Sequence, residues 1–146
     1  MRKLVIAISL LALGATAALA GPIEDRQAIM KANGKAMGTL SAIIKGEKPF
    51  DAALVLDTLK VLNDDAEKFD PAVLFPVGSE TGGDTTASPK IWEDMAGFQA
   101  AVDKFKADTA AAVAAAPQDV DGLKAVMDTV GSNCASCHQG FRVKKG

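Results

Sequence analysis

The sequence is poor in side chains that bind metals or transfer protons, with two cysteines and one histidine in 146 residues. These three ligands are one short of the four that a structural zinc site requires. No segment alternates apolar and polar residues as a half-buried strand does, which argues against a β fold. Basic residues do not outnumber acidic ones and form no large patch, so we expect no nucleic acid as a partner.

The N-terminal segment has the layout of a secretory signal peptide. Two basic residues open the chain, an apolar run follows from Leu4, and Ala18-Leu19-Ala20 is typical of a cleavage site. The run is too short for a membrane anchor, the alternative interpretation. We therefore expect residues 1–20 to be removed in the periplasm, leaving 21–146 as one domain with no membrane span. Of the 16 basic residues of the chain two lie in the removed segment, so 14 face 18 acidic ones, a net charge of −4.

Apolar residues recur at helical spacing in four segments of the mature chain. The periodicity predicts helices over residues 23–45, 51–69, 89–115 and 120–143. Asp51 and either Asp119 or Asp121 are expected N-caps, and Gly46 is expected to end the first helix. Residues 70–89 are rich in proline and glycine and predict a long, structured loop. Four helices of similar length indicate an all-α fold, an antiparallel four-helix bundle.

Both cysteines and the histidine lie in one five-residue stretch, CASCH. C-x-x-C-H is the attachment pattern of c-type haem. On a helix, Cys134, Cys137 and His138 share one face, so two thiols can form thioethers with one porphyrin while the imidazole binds its iron. The pattern therefore predicts one covalently attached haem c, with His138 as the proximal iron ligand.

Two other interpretations of the cysteine pair are weaker. A thioredoxin-type redox pair would accompany a βαβ pattern, which the chain lacks. A disulfide suits an exported protein, but it would leave His138 unexplained and would strain a helical pair three residues apart.

The mature chain resembles the cytochrome c-prime family, the class II cytochromes c. The resemblance rests on the haem motif near the C-terminus followed by Phe141-Arg142, and on the segments RQAIMKANGKAMGTLSAIIKGEKPFD, SPKIW and DVDGLKAVMDTVGSNCASCHQGFR. These segments are most similar to the low-spin, methionine-ligated branch. The resemblance implies an antiparallel four-helix bundle, in agreement with the periodicity.

The sixth iron position decides the function. With one histidine in the chain, His/His ligation is excluded, and methionine is the obvious alternative. Met127 lies on the same helix as His138 and cannot easily reach the opposite face of the haem. Met37 and Met95 fit the apolar stripes of their helices, so we expect them to be core residues rather than ligands. Met30 lies near the end of the first helix that an antiparallel bundle places beside the haem motif. The resemblance implies that Met30 is either the distal ligand or a steric gate, and we favour ligation.

The resemblance also implies contacts to the haem edge. Arg26 lies one turn before Met30 and is the candidate partner of a haem propionate, since arginine pairs with carboxylates in bidentate fashion. Gln27 is a second candidate at the haem edge. Trp92 is expected either near the haem mouth or in the core.

These expectations describe a periplasmic electron-transfer protein that uses low-spin haem. We do not expect it to be an enzyme. The alternative is a five-coordinate protein that binds NO or CO. A peroxidase ranks last because no second histidine is present for acid–base work. The expected partners are unidentified redox proteins. A homodimer is also open, because Gly34, Ala36 and Gly38 would permit close packing of the first helix.

Overall fold

The computed structural model describes residues 21–144, so the predicted signal peptide lies outside the described residues. Four long helices confirm the predicted bundle: α1 (Pro22–Ile44), α2 (Ala52–Lys68), α5 (Met95–Ala115) and α6 (Val120–Phe141). Two single-turn helices, α3 (Pro71–Leu74) and α4 (Lys90–Glu93), lie between α2 and α5. Helix α1 packs against α2, α2 against α5 and α5 against α6, while α1 also meets α6.

Local signals set the ends of the long helices. The Asp51 carboxylate accepts a hydrogen bond from the Leu54 amide (2.9 Å), and Asp119 accepts one from Gly122 (2.7 Å). Both are the expected N-caps. Gly46 has φ +74°, a left-handed conformation that glycine adopts without strain, and α1 ends just before it.

The third predicted helix, residues 89–115, is wrong in its N-terminal part. Asp94 leaves helical geometry (φ −133°, ψ 61°) and its carboxylate accepts a hydrogen bond from the Gly97 amide (3.0 Å). It therefore caps a new helix, α5, and separates it from α4. The apolar stripe continues across this break because Ile91, Met95 and Phe98 all pack in the same cluster, so periodicity alone could not reveal it.

The interior has two apolar clusters. The first, which we call the bundle core, joins α1, α2, α5 and α6 through Ala36, Leu40, Ile43, Val55, Leu59, Leu62, Ala112, Leu123, Met127 and Val130. The second, the aromatic cluster, lies under the long loop and contains Phe69, Leu74, Phe75, Ile91, Phe98 and Val102.

The small residues of α1 divide between the inside and the outside of the bundle. Ala36 is buried in the bundle core and so cannot form a dimer surface. Gly34 and Gly38 are exposed, and a Cβ added at either would meet nothing within 4 Å. Among the described helices, none is both long and apolar enough to cross a membrane.

Candidate haem site

The C-terminal part of α6 carries both cysteines and the histidine. Cys137 and His138 line a cleft of about 370 Å³. Cys134 joins them in the wall of an adjoining cavity of about 60 Å³. Both thiols are free, and the Cys134 sulfur lies 3.5 Å from the carbonyl oxygen of Val130. The expectation that the three side chains share one face of a helix is confirmed.

The surroundings favour neutral forms of these three groups. Burial raises the pKa of the Cys134 thiol and that of the Cys137 thiol. Desolvation by the cleft walls lowers the pKa of His138, and the positive charge of Arg142 lowers it further. Because a neutral imidazole is the form that binds a metal, this electrostatic setting suits a ligand role for His138.

The wall across the cleft from His138 comes from α1. The cleft is lined by Arg26, Gln27 and Met30. Arg26 and Met30 are four residues apart and therefore lie on the same face of the helix. Met30 lines the smaller cavity as well, and 39% of its surface is exposed, which is a large fraction for an apolar residue. Met30 therefore contributes exposed surface to the cleft wall instead of being packed in the core.

The other methionines of the described chain have packing roles, as expected. Met127 is buried in the bundle core and Met37 packs against it, while Met95 packs against the aromatic cluster. None of these three lines either cavity. Trp92 also belongs to the core: its Nε1 donates to the carbonyl of Phe75 (3.0 Å), and the two rings pack edge to face.

Phenylalanines that the sequence analysis did not assign form much of the cleft lining. Phe75 and Phe98 meet edge to face at 4.8 Å between ring centroids, and Phe98 meets Phe141 at 5.0 Å. All three, with Phe69, line the cleft. The aromatic cluster therefore continues into the site and supplies much of its apolar lining. Only the position of Phe141 three residues after His138 gave a signal in the sequence.

Arg26 is bound by the long loop. Its Nη1 donates to the carbonyl of Leu74 (2.9 Å) and to the hydroxyl of Ser79 (3.0 Å). Its Nη2 donates to the carbonyl of Ser79 (2.8 Å) and to the hydroxyl of Thr85 (2.8 Å). Its guanidinium also lies 4.7 Å from the centroid of the Phe75 ring. Since each terminal nitrogen carries two hydrogens, all four terminal donors are used, and only Nε–H remains for a propionate.

Asn33 is a further site residue that the sequence analysis missed. It lies on α1 three residues after Met30, is 7% exposed, and lines the smaller cavity. Its Oδ1 has no hydrogen-bond partner among the described residues. Asn133 on α6 lines the same cavity and donates to Asp108 (2.6 Å). A polar residue on the buried stripe next to Met30 was the available signal, because buried polar groups are normally paired.

Comparison with known proteins agrees with this architecture. A family model described as Cytochrome C' matches residues 21–142. Cytochrome c' of Rhodopseudomonas palustris is 48% identical over 84% of the chain and 82% of its own length. Cytochrome c-556 of Agrobacterium fabrum is 44% identical over 86% of the chain and 84% of its own length. A solved structure of cytochrome c' from Rhodopseudomonas palustris superimposes with a TM-score of 0.81 at 44% identity, covering 88% of this chain and all of that one.

The chain belongs to the cytochrome c-prime family. It is therefore a c-type cytochrome with covalently bound haem c and its iron as cofactor, and it acts as an electron carrier or ligand binder rather than as an enzyme. Relatives with both names, cytochrome c' and cytochrome c-556, match at similar identity. Family membership thus leaves the sixth iron position to be argued from the site.

The residues present fit a haem of this kind. The cleft volume of about 370 Å³ lies within the range of about 300–1,000 Å³ that small-molecule and cofactor sites occupy. Its lining is mostly apolar, and two free thiols and an imidazole lie at the spacing of a haem attachment motif. The unpartnered Asn33 oxygen adds an orphaned buried polar group at the inner end of the site.

Proposed function

We propose that this cytochrome c-prime family member is a one-electron carrier in the periplasm whose haem iron is bound by His138 and Met30. Cys134 and Cys137 would hold the haem covalently. When bound, the haem supplies one-electron cycling between Fe(III) and Fe(II). His/Met ligation is a known cytochrome c arrangement that raises the reduction potential.

The observation that carries this proposal is the placement of Met30. It faces the cleft from α1, lines both cavities together with His138, and belongs to neither apolar cluster. A methionine that only filled the core would be packed as Met37 and Met127 are. A thioether in the cleft opposite an imidazole can occupy the sixth iron position and exclude outside ligands.

The protein around the site contributes orientation and exclusion of water. His138 is held near the end of a 22-residue helix whose buried face reaches into the bundle core. Phe69, Phe75 and Phe98 of the aromatic cluster line the cleft from α2, the loop and α5, which makes this part of its wall apolar. Burial and hydrogen bonding of this kind are the protein's means of tuning a haem potential.

The gas-binding alternative rests on the partial exposure of Met30. A residue that is 39% exposed can also move aside and act as a gate, leaving iron five-coordinate and open to NO or CO. The visible spectrum of the purified holoprotein, ferric and ferrous, with and without CO, separates the two functions. Low-spin ferrous bands, a weak far-red ferric band and no response to CO support ligation. A high-spin ferrous spectrum that shifts with CO supports the gas-binding function instead.

Location and partners complete the proposal. The family match begins at residue 21, directly after the predicted cleavage site, which supports export and removal of residues 1–20. The mature mass of the exported protein, read by mass spectrometry, tests this. The redox partner stays unidentified. A homodimer stays a prediction, with exposed Gly34 and Gly38 as its available small residues, and sedimentation of the holoprotein checks it.

A further inference from the structure

The loop before α4 connects the two walls of the haem cleft. We call residues 75–88 the strap. Four of its residues line the cleft: Phe75, Thr85, Thr86 and Ala87. The strap therefore lies beside the site rather than over a remote part of the bundle.

Helix α1 holds the strap at Ser79, near its first end, and again at Thr85. The guanidinium of Arg26 donates to the hydroxyl and carbonyl of Ser79 and to the hydroxyl of Thr85, and the ring of Phe75 lies against it. The attachment point on α1 is one helical turn before Met30. Movement of Ser79 or Thr85 would therefore change the contacts of α1 one turn away from Met30.

The second end of the strap is held by the C-terminus of α6. Ala87 and Arg142 form an antiparallel bridge. The Val143 amide donates to the carbonyl of Thr86 (2.9 Å), and the Ser88 amide donates to the carbonyl of Phe141 (3.0 Å). These attachments begin three residues after His138, on the helix that carries the proximal ligand.

The clasp, by which we mean the hydrogen bonds from the Arg26 guanidinium to Leu74, Ser79 and Thr85, is costly to break. Arg26 is 4% exposed, and the four acceptors of its guanidinium are carbonyls and hydroxyls rather than carboxylates. A buried charge is tolerated only while its hydrogen bonds are made. Ser79 and Thr85 supply three of the four acceptors, so opening the strap breaks three hydrogen bonds to this charge at once. Desolvation lowers the pKa of Arg26, with Glu24 and Glu80 opposing it, but an arginine stays charged at neutral pH.

We propose that Arg26 is a positioning residue which, by clasping the strap, holds the helix that carries Met30 at a set distance from the helix that carries His138. This proposal rests on the proposed function for its effect on the iron. The strap's hold on the two walls, and hence access to the cleft, does not depend on whether Met30 ligates. The role differs from pairing with a haem propionate because it acts through Ser79 and Thr85, which lie on the strap.

Variants of the strap test the proposal without touching Arg26. Thr85→Val removes one hydroxyl acceptor, and Ser79→Ala/Thr85→Val removes two. Thr81→Val is the matched control, because it makes the same chemical change in an exposed residue of the strap that does not line the cleft. Arg26→Gln is added to remove the charge itself. Each holoprotein is measured for amide exchange at Ser88 and Val143, for the rate of CO association with ferrous haem, and for the ferric high-spin fraction.

We expect the double variant to accelerate amide exchange about tenfold or more, as loss of hydrogen bonds to a buried charge implies. We also expect its ferrous haem to bind CO, which the wild type with Met30 on the iron does not. Thr85→Val should give a smaller change in the same direction, and Thr81→Val none. Faster amide exchange with unchanged CO association would overturn the positioning role. Effects seen only in Arg26→Gln would also overturn it and return Arg26 to a propionate. If wild-type iron is already high-spin, ligation by Met30 fails, while the exchange and CO rates still decide the strap.

Discussion

The bundle core and the haem end of the molecule are stabilised in different ways. The bundle core is a set of aliphatic side chains from four helices, several of them with no exposed surface. The haem end combines an aromatic cluster, an open cleft, a buried arginine and an orphaned amide oxygen. The first region derives its stability from apolar burial, whereas the second retains polar groups and unfilled volume beside the thiols and the imidazole of the haem motif. Substitutions in the two regions should therefore separate stability from haem chemistry.

The largest effect is expected from removing both thiols. Cys134→Ser/Cys137→Ser should abolish covalent haem, because serine cannot form the thioether bonds. The measurement is extraction of the purified protein with acidified acetone, followed by the visible spectrum of the protein fraction. The single variants serve as controls, each retaining one thioether. Haem that resists extraction from the double variant would contradict the proposed attachment site.

Met30→Ala should change the iron without unfolding the bundle. Loss of the thioether converts ferric iron to high spin, removes the far-red band and opens ferrous iron to CO. Met37→Ala, on the same helix but packed against the bundle core, is the matched control and should stay low-spin. A low-spin spectrum that persists in Met30→Ala would show that another group fills the sixth position.

Leu59→Ala should lower the stability of the bundle without changing the iron. Leu59 is 1% exposed in the bundle core, and a buried leucine truncated to alanine costs about 2–5 kcal/mol of unfolding free energy. The haem spectrum of the folded variant should match that of the wild type. Denaturant unfolding of the holoprotein measures the loss, with Val61→Ala on the exposed side of α2 as the control. A spectral change in Leu59→Ala would mean that the two regions are not separable.

The smallest effect is expected at Asp65, which is buried on α2 with one carboxylate oxygen unpartnered. Burial raises the pKa of this carboxyl, although Lys68 at 3.7 Å opposes the shift. The folded state therefore holds the proton more tightly than the unfolded state. The contribution of Asp65 to the free energy of unfolding falls as the pH rises from about 3.9 through its folded pKa. Asp65→Asn should flatten that part of the pH profile of unfolding. An unchanged profile would show that Asp65 is solvated.

The sequence predicted the helices, whose apolar residues recur at a regular spacing, and it missed contacts that follow no such spacing. Helices α1, α2 and α6 follow from apolar spacing and from caps such as Asp51, and the faces of Cys137, His138 and Met30 follow from helical geometry. The break at Asp94 escaped because the apolar stripe crosses it. The long loop that contains the strap was predicted, but its attachments were not, because backbone carbonyls and two hydroxyls make them and such contacts have no period in the sequence. Arg26 was predicted at the cleft, but its partners could not be.

The clasp around Arg26 also has a consequence for the order in which the chain folds. Its acceptors lie 48 to 59 residues further along the chain. Contacts between such distant residues require the closure of a long loop and form slowly compared with helices. Until they form, the guanidinium remains in water and the N-terminal half of α1 has no fixed neighbour there. We expect the wall that carries Met30 to be completed after α1 and α2 have paired, so that haem would first meet a cleft that is still open on its strap side.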